Sequence, residues 1–454
     1  MGVRFGTDGI RGVANAELGA ELVLALGRAT ARALPAPCFL IGRDTRQSGP
    51  LLQAALSAGL ASEGADVVDL GVLPTPGVAW LCAGRQLPGA VISASHNPFA
   101  DNGVKLFATG GLKLPVAVEA AVEDELDRVL AADVRGPRAP TGRGVGRLSS
   151  DSDASAGYID HLVSVLDGRS LDGMRVVLDC ANGAASAIAP VVLGRLGAVV
   201  DVIAAEPDGT NINDGCGSTY PERLSAEVLR RGAEIGLALD GDADRLVAVD
   251  QTGAATTGDE LLALFATDLA QRGRLAGNTV VVTVMSNLGL RLAMAEKGIA
   301  VRETPVGDRS VLEALDADGL TLGGEQSGHL VFRELATTGD GVLTGVLLLD
   351  LLRRTRRPLA DLAGEVMQRL PQVLVNVGAS DPARVVESEA VQFEVGRVKE
   401  ELGARGRVLL RASGTEPLVR VMVEAADEEL AHQAVDRLCA VVERAGADLV
   451  PGAP

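Results

Sequence analysis

The stretch CFLIGRDTRQSGPLLQAALSAGLASEGADVVDLG, residues 38–71, decides the fold class. It consists of an apolar run (CFLIGRD), a segment with apolar residues at helical spacing (GPLLQAALSAGLASEG) and a second apolar run (ADVVDLG). Two short apolar runs on either side of a helical segment are typical of a βαβ unit. The sequence therefore predicts an α/β protein.

The same pattern occurs twice more, as MRVVLDC, SAIAPVVLGRLG and AVVDVIA from residue 174, and as TVVVTVM, NLGLRLAMAEKG and IAVRETP from residue 279. Starts about 100 to 140 residues apart indicate domains, because solenoid repeats are much shorter. The polar, Gly/Pro-rich residues 135–153 are predicted to separate the first two domains.

The pattern changes after RRPLADL, residues 356–362. RVLLRASGTEPLVRVMVEA predicts two strands around a turn, and DEELAHQAVDRLCAVVERAG predicts an amphipathic helix. We therefore expect three related α/β domains at 1–150, 151–252 and 253–368, and a smaller, different α+β domain at 369–454. A chain of 454 residues is long enough for three or four domains.

Composition restricts the partners. A net charge of −18 opposes broad attraction to nucleic acid or to an anionic membrane, and 2% aromatic residues are too few for a base-stacking surface. The segment MGVRFGTDGIRG lacks the apolar core of a signal peptide, and no apolar run reaches the roughly 18 residues of a spanning helix. We expect a cytoplasmic protein without nucleic-acid or membrane partners, whose five scattered cysteines are reduced thiols.

The stretch VISASHNPFADNGVKLF, residues 91–107, contains a candidate reactive serine, Ser95. A serine hydrolase would place this serine in a G-x-S-x-G elbow, which is absent here. His96 is adjacent in sequence, and because neighbouring side chains usually diverge we do not expect it to accept the serine proton. On this stretch alone, an ordinary loop with Ser95 and Asn97 as cap residues is the favoured interpretation.

The stretch GLALDGDADRLVAVD, residues 236–250, has Asp240, Asp242 and Asp244 at alternate positions. In extended backbone the three carboxylates would point the same way, and an all-oxygen set favours a hard cation such as Mg²⁺. An EF-hand beginning at Asp240 is excluded, because its sixth position would be Arg245 and its twelfth Gln251. A solvated hairpin tip is the remaining alternative.

Two further stretches carry candidate binding residues. TLGGEQSGHLVF contains Glu325, Ser327 and His329, a set suited to sugar hydroxyls, although a plain polar turn has the same pattern. LLRASGTEPLVRVMVE has the parts of a phosphate cradle, although a β-turn with exposed arginines would look alike. The cradle residues are Arg411, Ser413, Gly414, Thr415 and Arg420.

Together the four stretches resemble the α-D-phosphohexomutase superfamily, with one signature in each predicted domain. The segments FGTDGIRG, ISASHNPFADNGVK, NINDGCGSTYPE, GEQSGH and RASGTEPLVRV are similar to those of bacterial members that act on glucosamine phosphates. The resemblance implies a four-domain architecture around a central cleft, with three related mixed α/β domains and a smaller C-terminal α+β domain. It also implies an intramolecular phosphotransferase of the isomerase class, whose product feeds UDP-N-acetylglucosamine and cell-wall precursor synthesis.

The resemblance further implies cofactors and roles. Ser95 is expected to be a phosphoserine whose phosphate, with Asp240, Asp242 and Asp244, binds Mg²⁺, and a hexosamine or hexose 1,6-bisphosphate is the expected primer. The partner is a small sugar phosphate, and a homodimer is expected. The expected catalytic residues are Ser95, Arg11, Lys105 and His329. The expected substrate-binding residues are Arg245, Gly307, Asp308, Glu325, Ser327, His329, Arg411, Ser413, Gly414, Thr415 and Arg420.

Two positions depart from the common pattern, Ser310 after Arg309 and Tyr220 at the end of CGSTY. They affect fine sugar contacts and leave the expected chemistry in place. Three alternative functions remain open. A phosphomannomutase/phosphoglucomutase would differ in its preferred substrate, and a hydrolase of the phosphoserine would release phosphate. A non-catalytic sugar-phosphate-binding protein would not need Ser95 or the three aspartates.

Overall fold

A computed structural model of the chain describes residues 4–6, 8–131, 139–413 and 417–448. The chain forms two compact units. The first contains residues 1–285 and 299–365, and the second contains residues 286–298 and 366–454. Among the described residues, no helix is long and apolar enough to cross a membrane.

The first sheet contains the βαβ unit that the opening stretch predicts. Its segment comprises β1 (Ile10–Val13), α1 (Ala20–Ala33), β2 (Cys38–Arg43), α2 (Gly49–Ser62), β3 (Asp66–Val72), α3 (Thr75–Arg85), β4 (Gly89–Ile92), β5 (Asp101–Ala108), β6 (Leu112–Lys113), α4 (Val116–Ala131) and β7 (Leu148–Ser150). The strand order is β1-β5-β4-β2-β3-β7, with β6 on β5. Strand β2 runs parallel to β3 and β4, while β5 runs antiparallel to β1 and β4.

Residues 148–150 differ from the prediction for the stretch 135–153, which was expected to be a separator. They form β7, which pairs in parallel with β3 in the first sheet. The sequence LSS has no apolar alternation, because all three residues of this edge strand are exposed. Residues 135–138 of the same stretch lie outside the described residues.

The second sheet also has a βαβ core. Its segment comprises α5 (Ala154–Ser164), β8 (Arg175–Asp179), α6 (Ala189–Arg195), β9 (Val199–Ile203), α7 (Glu222–Arg231), β10 (Ile235–Leu239), β11 (Leu246–Asp250) and β12 (Ala255–Thr256). The order is β12-β11-β10-β8-β9, with β8 parallel to β9 and β10. Strand β12 pairs with β11 although it lies beyond residue 252, where we expected the second domain to end.

The third segment repeats the parallel pairing. It comprises α8 (Gly258–Gln271), β13 (Thr279–Thr283), α9 (Leu288–Glu296), β14 (Ala300–Thr304), α10 (Asp308–Asp318), β15 (Leu322–Gly324), β16 (Leu330–Phe332), α11 (Gly341–Thr355) and α12 (Leu359–Val366). The strand order is β14-β13-β15-β16, with β13 parallel to β14. Helix α9 belongs to the second compact unit.

The C-terminal segment has a different topology, as its sequence predicts. It comprises β17 (Gln372–Gly378), α13 (Pro382–Glu387), α14 (Glu389–Leu402), β18 (Arg407–Ala412), β19 (Leu418–Glu424) and α15 (Glu428–Asp448). The strands form an antiparallel sheet of order β17-β19-β18 over a valine-rich core. The fold class is therefore the predicted one, with mixed α/β segments followed by a smaller α+β domain.

Helices α1 and α2 pack backbone to backbone at two glycines. A Cβ atom added to Gly27 would lie 2.4 Å from Leu56 O, and one added to Gly59 would lie 2.2 Å from Leu24 O. Contacts this close cannot be relieved by a side-chain rotation, because the opposing atoms belong to the backbone. The two helices can adopt this spacing only with glycine at both positions.

We predict that Gly27→Ala lowers the free energy of unfolding by about 1–3 kcal/mol, the usual cost of overpacking a tight core. The control is Gly84→Ala in α3, where an added Cβ meets nothing within 4 Å. The control should be neutral or stabilising by up to ~1 kcal/mol, because alanine favours a helix. Urea denaturation of both variants measures the difference, and equal midpoints would contradict the backbone contact.

Candidate active site

Ser95 lies on a strained turn after β4. Its backbone is left-handed, with φ of 53°, and its N–H donates to Ser93 Oγ at 3.0 Å. Ser93 in turn donates to Asp44 at 2.7 Å. The Ser95 hydroxyl donates to Asp240 Oδ2 at 2.5 Å. The turn therefore presents the hydroxyl to the acidic stretch of the second segment.

A buried arginine stabilises this turn through hydrogen bonds to its backbone. The guanidinium of Arg46 pairs with Asp44 at 2.9 Å and donates to four carbonyl oxygens of the loop, those of Ser95, Asn97, Pro98 and Asp101. Asn213 Nδ2 donates to the Ser95 and Asn97 carbonyls at 2.9 and 3.1 Å. Neither residue is predicted from the sequence, because a single arginine or asparagine in a polar loop carries no pattern.

The three predicted aspartates converge. One carboxylate oxygen from each of Asp240, Asp242 and Asp244 lies within 4.8 Å of the other two, and all three residues are buried. The expectation that extended backbone aligns them was wrong, because these residues form a turn between β10 and β11. Ala243 at φ of 57° makes that turn.

Lys105 is the principal cation of this acidic turn. Its Nζ lies 2.8 Å from Asp242 Oδ2, 3.3 Å from Asp244 Oδ2 and 2.8 Å from Asp8 Oδ2. Burial opposes its charge, but Asp242 and Asp8 outweigh burial and raise the pKa of Lys105 well above its usual value. Lys105 therefore stays protonated and neutralises carboxylates. Thr75 Oγ1 also donates to Asp242 Oδ2, at 2.6 Å.

The acidic turn nevertheless remains short of positive charge. Burial, with Asp244 and Asp242, raises the pKa of Asp240 well above its usual range. Among the described residues, Asp242 Oδ1 and Asp244 Oδ1 are buried without a hydrogen-bond partner. Buried carboxylate oxygens without partners are costly, and a hard divalent cation would satisfy them. The donor set therefore fits a metal ion.

A cleft of about 410 Å³ lies beside Ser95 and the acidic turn. Arg11, expected to be catalytic, lines it together with three residues expected to bind substrate, Arg245, Gly307 and Asp308. His96 lines it too, and its Nδ1 lies 3.4 Å from Ser95 Oγ, so the two side chains do not diverge as expected. Burial and the two arginines lower the pKa of His96 to about 4, which keeps its ring neutral at pH 7.

His329 lies at the edge of the cleft with both ring nitrogens facing protein atoms. Nδ1 is 3.7 Å from Asp244 Oδ2, and Nε2 accepts from the Gly339 N–H at 3.1 Å. Because Nε2 accepts this hydrogen bond, the ring proton lies on Nδ1 and faces Asp244. Proton exchange with a substrate would require the ring to leave one of its two partners.

Glu325 and Ser327, predicted to act with His329, lie in the turn between β15 and β16. Glu325 lines the cleft, and its Oε1 accepts from the Gly307 N–H at 3.1 Å. Ser327 is not among the cleft-lining residues, and its buried Oγ has no partner among the described residues. The structure therefore brings Glu325 and His329 to the cleft, whereas Ser327 does not line it.

The predicted phosphate cradle belongs to the second compact unit. Arg411 on β18 lies opposite Arg420 on β19, and the Ser413 N–H donates to Leu418 O at 2.9 Å. Burial and then Arg420 lower the pKa of Arg411. Gly414 and Thr415 lie outside the described residues.

Comparison with known proteins gives the same family for every segment. Phosphoglucomutase/phosphomannomutase family models match α/β/α domain I at residues 2–132, domain II at 156–253, domain III at 257–370 and the C-terminal domain at 374–441. A phosphoglucosamine mutase of Rhodococcus erythropolis is 53% identical, over 97% of this chain and 99% of its own. One of Thermobifida fusca is 53% identical, over 96% and 97%.

Solved structures of similar fold include members of the same family. A phosphoglucomutase/phosphomannomutase family protein from Burkholderia thailandensis is 26% identical, with a TM-score of 0.80 over 99% of this chain and 98% of its own. An Aspergillus fumigatus N-acetylphosphoglucosamine mutase, solved with GlcNAc-6P and magnesium, is 19% identical, with a TM-score of 0.70 over 98% and 96%. The second likeness shows the fold alone.

We predict that Asp242→Asn weakens divalent-cation binding about tenfold or more, because it removes one of few charged ligands. Electron paramagnetic resonance titration with Mn²⁺ measures the dissociation constant without any assay of activity. Asp160→Asn, at an exposed acid on α5, is the control and should bind Mn²⁺ like the unaltered protein. Equal affinity in Asp242→Asn and the control would remove the acidic turn as the metal site.

Proposed function

The chain belongs to the phosphoglucomutase/phosphomannomutase family, and from this membership we propose that it interconverts glucosamine 6-phosphate and glucosamine 1-phosphate. The reaction type rests on the 2.5 Å hydrogen bond that places the Ser95 hydroxyl on the acidic turn. The choice of substrate rests on relatives more than 50% identical over nearly the whole chain, which carry the name phosphoglucosamine mutase. On this proposal the enzyme is an intramolecular phosphotransferase of the isomerase class.

Ser95 is the proposed phosphoryl carrier. In the first transfer, the bond between phosphorus and Ser95 Oγ breaks, the phosphoryl group passes to the 1-hydroxyl oxygen of glucosamine 6-phosphate, and the proton of that hydroxyl ends on Ser95 Oγ, which gives the 1,6-bisphosphate and an unmodified serine. In the second, the reoriented bisphosphate returns its 6-phosphoryl group to Ser95 Oγ, the serine proton ends on the 6-oxygen of the sugar, and glucosamine 1-phosphate departs. A hexosamine or hexose 1,6-bisphosphate would prime an enzyme that lacks phosphate.

Charge neutralisation is the main task of the surrounding residues, because phosphoryl transfer depends on positioning and electrostatics. Asp240, Asp242 and Asp244 would hold Mg²⁺ together with an oxygen of phosphoserine 95. Bound there, Mg²⁺ supplies positive charge to the transferring phosphoryl group. Lys105 adds a permanent positive charge at the same turn, and Arg11 faces the cleft next to Asp8, 2.6 Å away.

The sugar and its second phosphate need separate anchors. We assign the protonated 2-amino group of the sugar to Glu325, whose Oε1 already accepts from Gly307 and whose Oε2 accepts from none of the residues that the structure describes. We assign the non-reacting phosphate to the loop between β18 and β19 of the C-terminal domain. Arg411 and Arg420 lie opposite each other on these two strands, and two neighbouring positive charges favour an anion there. Ser413, Gly414 and Thr415 belong to the same proposed cradle.

Ser95→Ala should abolish turnover while leaving the circular-dichroism spectrum unchanged, because the substitution removes only the hydroxyl. Intact-mass measurement should find one phosphoryl group on the unaltered enzyme after treatment with bisphosphate and none on the variant. Ser164→Ala, on the exposed face of α5, is the control and should behave like the unaltered enzyme. A Ser95→Ala protein that turns over normally would rule out the carrier mechanism.

Substrate preference tests the assignment of Glu325. A hydrogen bond to a charged group contributes about 1.5–3 kcal/mol against ~1 for a neutral one. A difference of ~1.4 kcal/mol predicts a roughly tenfold higher kcat/KM for glucosamine 6-phosphate than for glucose 6-phosphate. Glu325→Gln should reduce that ratio, whereas Glu334→Gln, outside this cleft, should not. Equal or better turnover of glucose or mannose phosphate would make the enzyme a phosphoglucomutase/phosphomannomutase.

A further inference from the structure

Six buried or half-buried side chains, acidic and basic in alternation, form a closed ring beside the cleft, and four of them line it. Lys105 joins Asp244 to Asp8, and Lys113 joins Asp8 to Asp308. His329 closes the ring, with Nε2 4.0 Å from Asp308 Oδ2 and Nδ1 3.7 Å from Asp244 Oδ2. This charge ring consists of Asp244, Lys105, Asp8, Lys113, Asp308 and His329.

Lys113 differs from Lys105, the other lysine of the ring, in its partners. It lies on the short strand β6, and its Nζ is 3.1 Å from Asp8 Oδ1 and paired with Asp308. Neither carboxylate is a proposed metal ligand. Lys113 borders a recess of only about 20 Å³, too small for a sugar phosphate, and it is not among the residues that line the 410 Å³ cleft. Lys113 thus lies behind the site and is not placed to touch the substrate.

We propose that Lys113 is a positioning residue for the phosphoryl transfer, holding Lys105 through Asp8 and His329 through Asp308. The proposal rests on the proposed function for its kinetic consequences, whereas the geometry of the ring stands independently of it.

The Asp8 carboxylate shows how the first link works. Its Oδ2 accepts from Lys105 at 2.8 Å and from Arg11 at 2.6 Å, while Oδ1 is paired with Lys113. Without Lys113, Oδ1 would be a half-buried acceptor in need of a new donor, and rotation of the carboxylate toward Lys105 or Arg11 would supply one. Either rotation moves a cation that faces the reacting phosphoryl group.

Asp308 provides the second link. Its Oδ2 is shared between Lys113 and, at 4.0 Å, His329. Without the Lys113 ammonium group, Asp308 Oδ2 would lose its cationic partner, and reorientation of this carboxylate would change its contact with the His329 ring and so the position of the imidazole beside Asp244. Gly339 limits the direction of that movement, because a Cβ there would lie 2.5 Å from the ring, which shows how closely the two pack.

The test compares Lys113→Met with Arg354→Met. Arg354 pairs with Asp268 and Asp350 at 2.9 and 2.8 Å, away from the cleft, so it controls for the loss of a partly buried ion pair. We expect Lys113→Met to lower kcat about 10–100-fold, as loss of a supporting residue at a metal site typically does, with KM changed less than about threefold. Arg354→Met should lose stability and keep its kcat.

A second readout does not depend on activity. The chain has four histidines, so ¹⁵N-histidine NMR can follow each imidazole, with His329 assigned from the His329→Gln spectrum. Lys113→Met should shift the His329 ring nitrogens and leave those of His432, exposed on α15, in place. The same kinetic and NMR measurements are made on Lys113→Gln, which removes the charge but keeps a hydrogen-bond donor. If Lys113→Met does not fold, the Lys113→Gln results are used in its place.

The outcomes separate the two proposals. If the unaltered enzyme does not interconvert the glucosamine phosphates, the proposed function is contradicted. The His329 NMR signals would then be the test of whether Lys113 positions the ring. Unchanged His329 signals in a folded, neutral Lys113 variant overturn the inference, whether or not kcat falls. A rise in KM without a fall in kcat also overturns it, since Lys113 would then bind substrate directly.

Discussion

Three buried carboxylates within 4.8 Å of one another are the constraint on which the site depends. At about 4 Å and an effective dielectric constant near 20, two like charges repel by roughly 4 kcal/mol, so Asp240, Asp242 and Asp244 cannot all ionise without nearby cations. The compensating cation comes from another part of the chain, Lys105 of the first segment, and the His329 ring of the third segment lies 3.7 Å from Asp244. These contacts thus connect three segments with separate sheets, and they leave unsatisfied oxygens for a divalent ion.

The same constraint explains why the serine needs no adjacent base of the hydrolase kind. Ser95 donates directly to Asp240, and the turn that carries it is fixed by hydrogen bonds from Arg46 to four carbonyl oxygens. Such a turn has little freedom to reorganise during the reaction, which is the property that electrostatic catalysis requires. The His96 ring next to it is neutral at pH 7 and adds no charge to the site.

Sequence patterns predicted the elements whose signal is periodic or compositional. The three βαβ units, the C-terminal hairpin and the amphipathic helix α15 are where the hydrophobic spacing placed them. Strand β7 was not predicted, because an exposed edge strand has no apolar alternation. The spacing of the aspartates indicated their convergence for the wrong reason, since a turn at Ala243 produces it. Arg46, Asp8 and Lys113 could not be found from the sequence, because their roles depend on partners that lie far away along the chain.

In the proposed mechanism the phosphoryl group moves through Ser95 in every turnover. A rapid-quench chase measures this movement most directly, with enzyme that carries radiolabelled phosphate on Ser95 mixed with unlabelled glucosamine 6-phosphate. We predict that the label leaves the protein at least as fast as kcat and appears first in the 1,6-bisphosphate and then in the sugar monophosphates. Label that stays on the protein, or appears as inorganic phosphate, while product forms at the normal rate would contradict it.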